Sequence, residues 1–255
     1  MRAAVLTSTA PRHVFFLQTM ARAFPIAAAL QQMKQNYYVD ARTESEVIRG
    51  HFVRLGEAET AEFNPRISPA KLGAQLVDDL NTEALVDQML RAGVDVVLLF
   101  GTVILKDVWL RAFPDRIVNL HLGLSPFYRG AATLFWPLVE HRLECVGTTI
   151  HLAVSRVDAG AILRRIKADP QIGDDYYTLT SRLIRRSIEL MPDIVSGYLS
   201  GSIKPLAQDF GQSRAYRMRD FNQTALEKAL AFFGSGLTRE RIEAAERSTE
   251  CACSQ

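Results

Sequence analysis

Two polar side chains interrupt an apolar run near the middle of the sequence. Residues 117–121 read I-V-N-L-H, and Asn119 and His121 occupy alternate positions of this predicted buried strand. Side chains two apart in a strand project from the same face, so the amide and the imidazole lie together. An amide can donate to an oxyanion, and an imidazole can donate or shuttle a proton. Either residue alone is typical of a satisfied core polar group, but the pair indicates a reaction site.

A carboxylate completes this set from a turn. Asp158 lies in V-D-A-G between two predicted strands, where an aspartate usually bonds its own backbone. If the turn reaches Asn119 and His121, its carboxylate can orient the imidazole or accept a proton through water. We therefore predict one compact polar site at the end of a sheet, where open parallel sheets bind ligands.

Other reaction classes lack their signatures. Ser125 has no G-x-S-x-G elbow. The five histidines show no metal-ligand spacing, and we expect His141 and His151 to be structural or surface residues. The loop after the first strand, T-S-T-A-P-R-H, has no glycine, which argues against a dinucleotide or P-loop site. Arg12 and His13 nevertheless open a helix there, at a position that favours an anionic group.

Composition indicates a globular protein. Hydrophobic residues make up 48% and charged residues 23% of the 255 positions, and the net charge of +2 predicts no nucleic-acid partner. We find no apolar run long enough for a membrane span. Proline, arginine and histidine interrupt the first apolar run before a secretory h-region forms, so we expect a cytoplasmic protein. Three cysteines are too few for a disulfide framework, and Cys251-Ala-Cys253 is predicted to be a frayed tail.

The first 141 residues alternate strands and helices. Strands are predicted at 2–7, 26–30, 94–100 and 117–121, and helices at 12–23, 40–63, 82–92, 106–113 and 132–141. This order predicts an α/β fold with an open, doubly wound, mostly parallel (Rossmann-like) sheet.

The order changes after residue 145. Strands at 146–154 and 161–168, joined by a short turn at Asp158-Ala159-Gly160, predict an antiparallel pair beside Asp158. A long helix from about 173 to 198 is expected to kink or split at Pro192. A last helix is predicted at 222–233, with a poorly packed tail from Thr238. We predict a main domain at 1–200 and a short helical C-terminal appendage at 201–255.

These motifs together resemble a known family. N-L-H-L-G-L-S-P-F-Y-R-G-A-A from Asn119, then V-G-T-T-I-H and V-D-A-G, resembles the 10-formyltetrahydrofolate-dependent formyltransferases. The resemblance covers residues 95 to 165 well. It implies catalytic roles for Asn119 and His121, which stabilise an oxyanion as an amine attacks the formyl carbon. It implies that Asp158 supports His121 and moves a proton through water.

The resemblance also implies ligand-binding residues, with 10-formyltetrahydrofolate as co-substrate and no metal. The folate pocket of the family corresponds here to the loop after strand 94–100 and to the stretch before Asp158, with Arg129 and Gly130 in addition. The implied residues are Phe100, Gly101, Thr102, Val103, Ile104, Leu105, Arg129, Gly130 and Val157. The acceptor is expected to contact Arg12, His13, Ser125, Tyr128 and Tyr216.

The acceptor stays open. Gly123-Leu124-Ser125-Pro126 and Phe127 depart from the pattern of many relatives. The resemblance favours a nucleotide-linked amino sugar used for surface polysaccharides, including lipopolysaccharide, over a hydroxyornithine-type siderophore precursor. A folate-binding protein without turnover is a third reading. We expect a small-molecule partner, no nucleic acid and no membrane, and we allow for a homodimer.

Overall fold

A seven-stranded sheet runs through the centre of the computed structural model, which describes residues 1–33, 45–65 and 67–248. Its order is β3-β2-β1-β4-β5-β7-β8, and a small second sheet pairs β6 with β9. The strands are β1 (Ala3–Thr7), β2 (Ile26–Gln31), β3 (Ala74–Leu76), β4 (Val96–Phe100), β5 (Ile117–His121), β6 (Tyr128–Gly130), β7 (Gly147–Leu152), β8 (Ile162–Lys167) and β9 (Arg214–Tyr216).

Strand direction changes twice across the large sheet, on either side of β7. β1 to β5 pair in parallel, whereas β7 runs antiparallel to both β5 and β8. The predicted mostly parallel sheet with an antiparallel pair is therefore confirmed. The sequence did not reveal β3, β6 or β9, each of which has only three residues.

Side-chain caps set the starts of most long helices. Ser45, Thr82, Asp175, Asn222 and Thr238 each accept a hydrogen bond from a backbone N–H three residues later. Such a cap stabilises a helix by about 1 kcal/mol. The helices are α1 (Pro11–Ala23), α2 (Glu46–Phe63), α3 (Glu83–Arg91), α4 (Asp107–Ala112), α5 (Trp136–Val139), α6 (Tyr176–Leu199), α7 (Gln223–Phe233) and α8 (Arg239–Arg247).

Hydrophobic cores cover both faces of the sheet. Val5 and Leu98 pack into one core with α1 and α6, while Leu6 and Leu99 pack into the other with α3 and α4. Neighbouring residues of β1 and β4 thus face opposite cores, which is why both strands are apolar except at Thr7. The sheet between these two cores positions the carboxyl end of β5, where the candidate site lies.

Three helix predictions need correction. The helix expected at 132–141 is reduced to α5, because Ala132 adopts a left-handed φ of 55°. α6 continues through Pro192 without splitting, since buried Met191, Ile194 and Val195 hold the surrounding turns in the core. The helix predicted at 222–233 is not the last one, because the tail from Thr238 forms α8, although no residue of α8 is buried. Part of the expected helix (40–44) and the Cys251-Ala-Cys253 tail lie outside the described residues.

The chain after residue 200 shares the main core. Leu226, Ala229 and Phe233 of α7 are buried in the same cluster as Val118 and Leu120 of β5. The boundary at residue 200 stays a prediction. Within the described ranges, no helix has the length and apolar character needed to cross a membrane.

Candidate functional site

Two facing strands build the floor of the site. β5 carries Asn119 and His121, and the antiparallel register of β7 sets His151 opposite Asn119 and Thr149 opposite His121. Asn119 Nδ2 lies 3.1 Å from His151 Nε2. The alternation of a pleated strand thus brings one amide and two imidazoles to the same face.

The loop after β7 delivers Asp158 to these rings. Leu152 pairs with Val118, so the chain leaves β7 beside the start of β5 and must fold back to reach His121. Asp158 Oδ1 lies 3.3 Å from His121 Nδ1 and 3.6 Å from His151 Nε2. The expected short turn at 158–160 is therefore wrong, because the connection spans residues 153–161.

Asp158 is held as a carboxylate. Its Oδ2 accepts a hydrogen bond of 3.0 Å from the Gly130 N–H. Burial by itself raises the pKa of Asp158, but the charge of His121 and the contacts with His151 and Gly130 outweigh burial and lower the pKa to about 2. Asp158 is therefore the charged member of this cluster.

His121 lies between two acceptors. Its Nδ1 faces Asp158, and its Nε2 is 2.9 Å from the Tyr128 carbonyl oxygen. Only the imidazolium could donate to both oxygens, yet burial of the ring lowers the pKa of His121, while Asp158 partly offsets that effect. The ring is therefore suited to hold a proton when negative charge develops beside it.

His151 belongs to the cluster, which corrects the expectation that it is a structural or surface residue. Its Nδ1 is 2.7 Å from the Leu152 carbonyl oxygen and donates to it. In the tautomer with a proton on Nδ1 alone, Nε2 accepts a hydrogen bond from the Asn119 amide N–H. Orientation of the Asn119 amide is thus set by His151. The sequence signal was Thr149-Ile150-His151, which has the same two-residue spacing of polar side chains as Asn119-Leu120-His121. The sequence does not reveal the register in which these two strands pair.

The predicted donor-binding loop has mixed exposure. Phe100 and Leu105 are core residues, and Thr102 and Val103 are half-buried. Gly101 has a φ of +68°, and a Cβ there would lie 2.2 Å from His13 Nε2, so the loop requires glycine. Ile104 is 65% exposed, and Val154 and Val157 are also exposed. The exposed apolar side chains and the main chain, rather than Phe100 or Leu105, are available to a ligand.

Arg129 and Gly130 border Asp158. Arg129 Nη1 donates to the Val157 carbonyl oxygen at 3.3 Å, and the Gly130 N–H donates to Asp158. Gly130 has a φ of +93°, and a Cβ there would lie 2.2 Å from the Tyr216 carbonyl oxygen. Both residues thus support the site through the loop after β5.

The predicted acceptor contacts are mostly engaged inside the protein. Arg12 forms an ion pair with buried Glu59, and buried His13 packs edge-on against Phe100. Ser125 is fully buried and its N–H donates to Thr149 Oγ1, so it offers no surface to a ligand in this conformation. Because Ser125 has no exposed surface, the structure contradicts its predicted contact with the acceptor.

The two tyrosines predicted to contact the acceptor, Tyr128 and Tyr216, stack on aromatic side chains of the protein itself. The Tyr216 ring lies 4.6 Å from Trp136 at an interplanar angle of 7°, and 6.0 Å from Tyr128 at 9°. Glu140 accepts hydrogen bonds from both Tyr128 and Tyr216 hydroxyls. Tyr128 is buried, so its ring is structural; half-buried Tyr216 keeps only an edge for a ligand.

Residues 1–33, 45–65 and 67–248 contain no group of three or more His, Cys, Asp and Glu side chains placed to hold a metal ion. The chemistry available at the site is therefore described from the amide, the imidazoles and the carboxylate.

Comparisons with known proteins identify the family of this chain. A model of the family described as formyl transferase matches residues 55–195. Methionyl-tRNA formyltransferase from Trichlorobacter lovleyi is 35% identical over 118 residues, which are 46% of this chain and 37% of that protein. The match thus spans little more than a third of the relative's length.

Solved structures share the fold. A sugar N-formyltransferase from a Shewanella species superimposes with a TM-score of 0.62 at 15% identity and covers 91% of this chain and 87% of that one. An N-formyltransferase from Helicobacter canadensis, in complex with folinic acid and dTDP-3-aminofucose, gives a TM-score of 0.59 at 17% identity, with 91% and 81% coverage.

Proposed function

This chain belongs to the formyl transferase family, and on that premise we propose that it transfers the formyl group of 10-formyltetrahydrofolate to a primary amine of a small molecule. The observation that carries the proposal is the convergence of Asn119, His121 and Asp158 on one face of β5, with Asp158 Oδ1 3.3 Å from His121 Nδ1. Three polar groups gathered from two distant stretches of chain satisfy the geometry that acyl transfer needs.

Each group has a distinct role. The Asn119 amide has a second N–H besides the one directed at His151, and this N–H can stabilise negative charge on the formyl oxygen. His121 contributes a further donor or holds the proton. Asp158, ionised because its pKa is about 2, keeps the His121 ring in place and accepts the amine proton through water. That proton passes to N10 of the folate as the bond between N10 and the formyl carbon breaks and tetrahydrofolate leaves.

The donor fits the chain beside this cluster. Exposed Ile104, Val154 and Val157 offer apolar surface next to main-chain N–H and C=O groups, which suits a flat ring with polar edges. When bound, the folate supplies the activated formyl carbon. Holding it beside the amine contributes much of the acceleration, since orientation alone can be worth several orders of magnitude.

An amino sugar linked to a nucleotide is the proposed acceptor, for surface polysaccharides such as lipopolysaccharide. It is supported by two structural neighbours: the Helicobacter canadensis N-formyltransferase binds dTDP-3-aminofucose, and the Shewanella protein is a sugar N-formyltransferase. The net charge of +2 adds that the chain lacks the basic surplus of a tRNA-binding surface. We propose that the reaction takes place in the cytoplasm.

The test is a direct assay. Purified protein is incubated with 10-formyltetrahydrofolate and a panel of amines: dTDP-linked amino sugars, hydroxyornithine and glycinamide ribonucleotide. Tetrahydrofolate release is followed by absorbance, and products are identified by the mass of one added carbonyl. We expect turnover with an amino sugar, and we expect Asp158→Asn, which preserves shape, to abolish most of it.

The outcomes separate the readings. Turnover only with hydroxyornithine would change the proposed acceptor and leave the proposed reaction intact. Folate binding with no turnover on any amine would overturn the enzymatic proposal in favour of a binding protein.

A further inference from the structure

Residues 206–213, here called the clamp segment, reach the site from beyond α6. Leu206 exchanges two backbone hydrogen bonds with Ile162, each 2.8 Å long. This bridge fixes the segment beside the start of β8, directly after the loop that carries Asp158. The side chains that follow Leu206 are thereby aimed at that loop.

Gln208 makes the central contact of the clamp segment. Its Nε2 donates to the Asp158 carbonyl oxygen at 2.9 Å and to the Gly160 carbonyl oxygen at 2.6 Å. Both partners are acceptors only, so the amide must present its NH₂ group to them. Gln208 thus binds the backbone on both sides of Ala159.

The conformation of this turn requires such support. Asp158 adopts φ +51°, a left-handed conformation that is unfavourable for a non-glycine residue. A Cβ on Gly160 would lie 1.8 Å from the Leu152 carbonyl oxygen, so the turn is also pressed against β7. Carbonyl groups in so tight a turn need partners, and Gln208 supplies them.

The clamp segment holds the same loop from a second side. Ser213 Oγ accepts from Arg129 Nε at 2.7 Å, and Arg129 also donates to the Val157 carbonyl oxygen. The Phe210 ring lies 4.9 Å from the Arg129 guanidinium carbon and 4.3 Å from that of Arg156. Residues just before Asp158 are therefore fixed by the same segment.

We propose that Gln208 is a positioning residue for Asp158, holding the turn so that the carboxylate meets His121 and His151. Gln208 does not touch the reacting atoms, and it lies beyond residues 55–195, which match the family. The inference deepens the proposed function and rests on it.

The first test compares Gln208→Met with Gln212→Met, an exposed glutamine of the same segment. Methionine keeps the length of Gln208 but cannot donate. We expect kcat to fall about tenfold in Gln208→Met while KM for both substrates stays within about twofold, since only transition-state placement is lost. Gln212→Met should behave as wild type. An unchanged kcat in folded Gln208→Met would overturn the proposal.

A double-mutant cycle separates positioning from general damage. In an Asp158→Asn background, Gln208→Met should cause little further loss, because Gln208 acts through the group already removed. An equal tenfold loss in both backgrounds would show that Gln208 does not work through Asp158.

A readout without turnover keeps this inference distinct from the proposed function. ¹⁵N NMR of the histidine rings reports the tautomers of His121 and His151, and displacement of Asp158 should change both signals in Gln208→Met but not in Gln212→Met. Unchanged ring signals overturn the inference even if formyl transfer fails in the wild type. If Gln208→Met does not fold, Gln208→Glu, similar in size and without donors at neutral pH, is measured instead.

Discussion

At the residue scale, the orientation of one amide decides what the site can do. Asn119 donates to His151 only while the His151 Nδ1–H is directed at the Leu152 carbonyl oxygen. The second Asn119 N–H is then left for a ligand. His151 therefore orients the Asn119 amide, whereas Asp158 orients the His121 ring.

Removing the polar groups tests their roles one at a time. We expect Asn119→Ala, His121→Ala and Asp158→Ala each to lower turnover by on the order of a hundredfold, because each removes a donor or proton acceptor. Steady-state kinetics measures the effect, and circular dichroism checks folding. His141→Ala, at an exposed histidine, is the control. Near-normal rates in all three variants would refute the assigned roles.

Asp158 also makes stability depend on pH. Its pKa of about 2 in the folded state lies below the unfolded value of about 3.9, so the ionised group stabilises the fold above pH 4. This contribution, about 2 kcal/mol, is lost as the pH falls from about 4 through 2. Urea unfolding should show wild type more stable than Asp158→Asn near pH 5, with the gap shrinking toward pH 2. A constant gap would contradict the shift.

The sequence predicted part of this cluster. Asn119 and His121 were identified because their spacing in one apolar strand is visible in the sequence. The role of His151 was not, because pairing across β5 and β7 depends on register. The buried state of Ser125 and Tyr128 follows from packing of the loop after β5, which no local pattern encodes.

At the element scale, the connection between β7 and β8 depends on the close approach of Gly160 to the Leu152 carbonyl oxygen. Gly160→Ala should destabilise the protein by at least about 2 kcal/mol, since its Cβ would overlap the Leu152 carbonyl oxygen. Gly56→Ala, in the exposed middle of α2 with nothing within 4 Å of the added Cβ, should stabilise by about 0.5–1 kcal/mol. Chemical unfolding measures both; equal effects would refute the contact.

Long periodic elements were predictable, and short ones were not. The α6 pattern predicted a helix, and of the kink or split expected at Pro192 the split does not occur. β6 and β9 escaped notice because three residues carry no periodicity and their pairing joins Tyr128–Gly130 to Arg214–Tyr216, far apart in sequence. Elements defined by a distant partner are the ones that local patterns miss.

At the scale of the whole molecule, the last quarter of the chain completes the core. A chain ending at residue 200 would lose Leu226, Phe233 and Leu237, each buried. A buried side chain of this size contributes about 1.5–3 kcal/mol, against about 5–15 kcal/mol for a whole domain. We therefore expect residues 1–200 to be unfolded by circular dichroism and a chain ending at residue 248 to fold. A cooperatively folded 1–200 fragment would establish the predicted boundary.

Parallel pairing of β6 with β9 gives the site an order of assembly. The loop beside His121 has its strand partner more than eighty residues later in the sequence, at Arg214–Tyr216. Because a protein emerges from the ribosome N-terminus first, the residues that carry the chemistry are made well before the strand that fixes them. A nascent chain would thus display its amide and imidazoles early and become competent only after Arg214–Tyr216 has been synthesised.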